Sequence, residues 1–239
     1  MTVLDINDGL GTHMVTTLEV LKAFFDTSPH CERPRSSPME IFTLLLLLAT
    51  GFYVLKFKDQ KRRIGLLGQI LGKYQIEKMM ETLTQGYNRA LSEPDTSRQS
   101  QILALQQATE QALCEQFSRF AAEFSRVDAL EVRVSTVGFA IAYADRLFPG
   151  STFDLRKAFS IHAQGLAQAM DNPMGLSPKS RAFHVTAELF LMQHTCHWFC
   201  RSKTVASSRL LVRHKTSYAQ LVESVLPQTR AAYTALIAT

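Results

Sequence analysis

The chain reads as all-α: a single N-terminal transmembrane helix followed by a cytoplasmic helical bundle of about six helices. Three observations predict this. Residues 41–57, IFTLLLLLATGFYVLKF, form one long apolar run. The basic cluster Lys56, Lys58, Lys61, Arg62 and Arg63 follows it at once. From residue 63 onward, apolar side chains recur at spacings of three and four between proline, glycine and cap residues.

The apolar run comes first. A spanning helix needs about 17–25 predominantly apolar residues. Residues 41–55 carry no charge, and Lys56 can snorkel its ammonium to the headgroups while its stem stays in hydrocarbon. More Lys and Arg follow the run than precede it, where Arg33 and Arg35 stand. The positive-inside rule therefore puts the C-terminal side in the cytoplasm. A cleaved signal peptide would want its positive charge before the run, and the asymmetry here is reversed. A buried core helix is the bland alternative for a stretch this short.

Residues 1–38 differ from the rest. One short amphipathic helix fits 15–25, and 28–38 is an irregular linker because its prolines remove donors and resist helix. The abrupt change at Met39 suggests a biological start there, with the preceding segment an upstream extension. The chain thus divides into a poorly ordered extension (1–38), an anchor (41–57) and an all-helical cytoplasmic domain (59–239).

Composition is globular: 46% of residues are apolar, 20% are charged, and the formal net charge is +5. Such a mild excess suits anionic lipid or nucleic acid without choosing between them. The four cysteines form no regular framework, and a cytoplasmic domain keeps them reduced.

One helix is expected over 63–91. Gly65, Gly68, Gly72, Ile76, Met79, Leu83, Gly86 and Ala90 fall on one face, and Gly68 with Gly72 makes a GxxxG pair. Glycine costs about 1 kcal/mol against alanine inside a helix. A glycine stripe therefore implies that another backbone comes close, either from the domain itself or from a second copy of the chain. Pro94 ends this helix, and Asp95 or Thr96 caps the next, over 99–127. Its expected inner face is Ile102, Leu105, Leu113, Phe117, Phe120 and Phe124.

Val132 and Val134 alternate like a short strand, and 135–148 resembles a helix. Ser151 or Thr152 should cap a helix reaching Met170. Ser177-Pro178 is a cap followed by proline at the first helical position. The helix over 179–202 has no clean polar face and is therefore central. A basic stretch from Arg201 to Lys215 and one helix carrying Leu211, His214, Tyr218, Leu221, Val222 and Val225 follow. Pro227 opens the last helix.

The residues with chemistry concentrate between His162 and His214. Cys196 and Cys200 are one helical turn apart, with His197 three before Cys200, and thiolate with imidazole suits zinc. His184 and Glu188 make a second i, i+4 pair, and His162 could approach from a neighbouring helix. The spacing is not that of a zinc knuckle. No HExxH, ExxH, CxxCH, GxSxG or P-loop occurs.

The sequence therefore supports a membrane-anchored interaction or scaffold protein, non-enzymatic and without a cofactor. Its partners are the bilayer, a protein or a second copy, with Lys56, Lys58, Lys61, Arg62 and Arg63 on lipid headgroups. The plan matches a bacterial inner-membrane protein. The alternative is a metal- or haem-binding enzyme or sensor using the His/Cys-rich helix. Nucleic-acid binding at 201–215 is the weakest reading, because no interleaved aromatics or recognition pattern accompany the charge.

Overall fold

A computed structural model describes residues 38–238. The expectations for 1–37 lie outside the described residues. Contacts divide the chain between Leu47 and Leu48, and the helical domain is the unit from Leu48 onward.

Helix α1 spans Pro38–Leu71. It is the one described helix long and apolar enough to cross a membrane, and none of its most apolar window is buried. Its charged half continues without a break past Arg63. This corrects the single helix expected over 63–91: the chain turns at 72–75 and restarts as α2 (Ile76–Ser92). The glycine stripe breaks with it. Ile76, Leu83 and Ala90 face the core with Met80 and Tyr87. Gly65 and Gly68 lie on the open side of α1, where an added Cβ would meet nothing within 4 Å.

Asp95 caps α3 (Thr96–Phe124), accepting from the Ser97 amide. Buried Leu103, Leu113, Phe117, Phe120 and Phe124 form its inner face, whereas Leu105 is 76% exposed. Phe117, Phe120 and Phe124 all meet the ring of Phe159 on α5 (Leu155–Asp171) edge-on.

Between these helices the expected helix over 135–148 is mostly irregular. Strands β1 (Arg133–Ser135) and β2 (Thr152–Asp154) pair antiparallel, with Val134 opposite Phe153. Only α4 (Ala144–Leu147) is helical. Thr152 starts β2, and Asp154, its last residue, caps α5 by accepting from the Arg156 amide.

Helix α6 (Pro178–Cys200) opens with Ser177 accepting from the Ser180 amide and proline at the first position, as the sequence predicts. It buries residues on every side, and α2, α3, α5, α7 and α8 all pack on it. The single helix expected beyond it is two. Helix α7 (Lys203–His214) stops where Lys215 takes a left-handed conformation. Helix α8 (Tyr218–Ser224) starts at a capping box made by Ser217 and Gln220. Helix α9 (Pro227–Ala238) ends the described chain. Behind Leu71, six described helices have at least 12 residues.

Candidate functional site

Arg63 organises the densest polar site. It is 7% exposed. Its Nε donates toward both oxygens of Asp59 at 3.3 Å, one turn back on α1. Its Nη1 donates to the carbonyl of Arg133 at 3.0 Å, and its Nη2 to Asp145 Oδ1 at 2.6 Å. The ring of Phe199 covers the guanidinium at 5.2 Å. Asp59 also accepts from the Tyr143 amide at 3.3 Å. Tyr143 is left-handed (φ 53°), so the chain folds back there and carries Asp145 toward Arg63. A planar fork suits this task, because one guanidinium reaches three acceptors at fixed angles.

Arg62 sits beside this set, bound to Glu131 at 2.8 Å and within 3.5 Å of Asp59. The five-residue headgroup cluster therefore divides. Lys58 and Lys61 are exposed and Lys56 is half-buried. Arg63 turns inward to the buried Asp59 and Asp145, and Arg62 pairs with the partly exposed Glu131. The acids responsible, Asp59 and Asp145, were not singled out in the sequence. The available signal was Asp59 itself, one acid among basic neighbours and i, i+4 to an arginine.

A cavity of about 30 Å³ opens beside this network, with Lys56, Gln60, Phe139, Ile141, Trp198 and Arg201 on its walls. It has room for about two waters. Arg201 donates to Gln60 Oε1 at 2.7 Å across the same region.

The His/Cys-rich helix behaves differently. Cys196 and Cys200 pack against the apolar core. Burial pushes the Cys200 thiol up to about 11, and Cys196 higher still. Burial keeps both in the thiol form in the fold as it stands. His197 feels Arg209, Arg213 and His214 of the α7 segment, whereas Cys196 feels Glu77 of α2. Among the described residues, no three His, Cys, Asp or Glu stand close enough to share an ion.

The other candidate ligands are also engaged separately. His184 Nδ1 bonds the Ser224 carbonyl at 3.0 Å, so that nitrogen carries the proton. Glu188 accepts from the Leu226 amide at 3.0 Å, where α9 begins. Burial raises the Glu188 carboxyl to about 7. His162 Nε2 meets Thr195 Oγ1 at 2.9 Å. Thr195 donates to the Leu191 carbonyl and also meets Tyr233 at 3.0 Å, so His162 and Tyr233 must both donate to it. Burial holds His162 and His194 at about 3, and both are neutral imidazoles in the fold.

A third buried set joins α2, α3 and α6. Arg181 grips Glu110 at 2.6 and 3.1 Å, and the Tyr87 hydroxyl donates to the same carboxylate at 2.5 Å. These polar groups hold elements to one another. They leave no activated nucleophile beside a base in the arrangements described. No protein-family profile, curated protein or solved structure matches the chain.

Proposed function

We propose that the protein is a membrane-tethered helical interaction module, without catalytic chemistry of its own. In this reading it is single-pass in a bacterial inner membrane, with the domain from residue 59 in the cytoplasm. One observation carries the proposal: the apolar stretch of α1 is wholly uncovered, and the same helix continues into a half whose Asp59 and Arg63 are locked to the domain. An uncovered apolar helix of this length is stable only with lipid or protein around it. Lys56, Lys58 and Lys61 then stand at the cytoplasmic headgroups, where each contributes about 1 kcal/mol on an anionic surface.

Helix α7 offers the partner face. Arg209, Leu211, Val212 and Arg213 are exposed there, with no acidic residue on the helix. The apolar pair favours a protein with an acid-rimmed groove over nucleic acid, which would want stacking aromatics. The test is fractionation of cells expressing the full chain, followed by protease treatment of intact spheroplasts. Retention in alkali-washed membranes with the C-terminus protected is the expected result. Release into the soluble fraction, or cleavage from the outside, would overturn the reading.

A further inference from the structure

We propose that loop 137–142 is a second membrane contact, with Phe139 inserted at the headgroup boundary of an anionic bilayer. The inference deepens the membrane-tether reading and rests on it. Phe139 is 77% exposed, among the most exposed large apolar side chains of the domain. It is not at the tip of a loose loop. Thr204 Oγ1 donates to the carbonyl of Gly138, next to it, at 2.6 Å. On the other side the Tyr143 amide is bound to Asp59. The Ile141 amide closes the turn onto the Phe139 carbonyl at 3.0 Å. The fold thus holds an aromatic ring outward at a fixed place.

That place has a known depth along α1. Phe139 shares a cavity wall with Lys56, Asp59 and Gln60. Lys56 is the first charge after the apolar run, and exposed Phe52, Tyr53, Val54 and Leu55 precede it directly. A helix rises about 1.5 Å per residue, so Lys56 to Gln60 covers about 6 Å. If Leu55 lies in hydrocarbon, Phe139 lies at the adjoining headgroup layer, where the apolar faces of peripheral segments reside. The charges agree. Lys56 and Arg201 line the same cavity, and its acid, Asp59, is already held by Arg63. Anionic phosphates therefore meet net positive charge beside the ring.

The experiment places p-benzoylphenylalanine at single positions of the full chain in vesicles of phosphatidylcholine and phosphatidylglycerol, and reads lipid adducts by mass spectrometry after irradiation. Three positions are compared: Phe52 in the apolar run, Phe139, and Leu105. Leu105 is as exposed as Phe139 but sits on α3, outside the cavity wall that Lys56 and Phe139 share. Lipid adducts at positions 52 and 139, each at least about tenfold above position 105, support the proposal. Adducts at 52 with position 139 at the level of 105 overturn it while leaving the anchor intact. Lipid adducts at none of the three overturn the anchor and the loop contact together.

Discussion

Arg63 and Asp145, 82 residues apart, share a 2.6 Å hydrogen bond with both groups buried. The bond ties the charged half of α1 to α4. Removing one partner of a buried, multiply bonded ion pair leaves the other charge without compensation, at about 3–5 kcal/mol. Arg63→Ala strands two carboxylates, and should cost that much in urea unfolding of the full chain in detergent micelles. Arg63→Lys should recover only part, because an ammonium cannot span Asp59, Asp145 and the Arg133 carbonyl together. Full recovery by lysine would mean that charge alone, without the fork, holds the site.

Two glycines should respond in opposite ways to the same change. A Cβ on Gly165 would lie 2.3 Å from Thr229 Oγ1 and 2.6 Å from Glu188 Oε2. Helix α9 packs against α5 there, so Gly165→Ala pushes on a buried carboxylate and should destabilise by about 1–3 kcal/mol. Gly65 has open space around it. Gly65→Ala should be neutral or stabilising by about 0.5–1 kcal/mol, the ordinary helix gain. Thermal melts of the two variants side by side check both signs. A large loss at Gly65 would mean that another backbone covers that face.

These residues also show where the sequence was legible. Period and caps placed the long helices: Ser177-Pro178 and Pro227 start helices where expected, and the all-round apolar pattern of 179–202 marks the central helix. Tertiary pairing was not legible. Thr152 looks like a cap, but the strand pair with β1 carries the chain on to Asp154 before α5 begins, and Asp154 takes the role. Gly65 and Gly68 share a stripe with Ile76 only if the helix is unbroken, and the turn at 72–75 separates them. Arg62 and Arg63 read as lipid-facing because their acids, Glu131 and Asp145, lie far along the chain. Local period cannot announce a partner at that separation.

The buried histidines predict a pH dependence whose sign is fixed by direction. His162 and His194 have folded pKa values of about 3 against 6.5 unfolded, and burial is the main cause for each. Below pH 6.5 the unfolded chain takes up protons that the fold refuses. Their contribution is therefore complete above pH 6.5 and is lost as pH falls toward 3. Each loses about 2 kcal/mol by pH 5. Glu188 acts oppositely, because its carboxyl is raised to about 7 from 4.5. Its stabilisation is complete below pH 4.5 and fades as pH rises through 7, returning about 2 kcal/mol at pH 5. These three groups together make the fold weaker by about 2 kcal/mol at pH 5 than at pH 7. His197, lowered to about 4, adds in the same sense. In Glu188→Gln the offset disappears while the Leu226 amide keeps an acceptor, so the acid loss should grow by about 2 kcal/mol. Urea midpoints between pH 5 and 7 read this directly, and a fold that strengthens toward pH 5 would show that these imidazoles are not buried neutral.

The open side of α1 makes a last prediction about self-association. Gly65 and Gly68 leave room for a second backbone, since nothing occupies the space beside them. The same side carries Lys61, one turn before Gly65, and two copies meeting there would bring their ammonium groups together. Like charges at such a contact oppose pairing and are screened by salt. A glycine-mediated dimer should therefore strengthen as ionic strength rises, and should be abolished by Gly68→Leu, which fills the gap without disturbing the domain. Analytical ultracentrifugation of the full chain in density-matched detergent, at low and high salt, measures both. A monomer under every condition would leave the glycine side to solvent and headgroups. A dimer that survives Gly68→Leu would place the interface elsewhere, with the exposed Leu211 and Val212 of α7 the next surface to test.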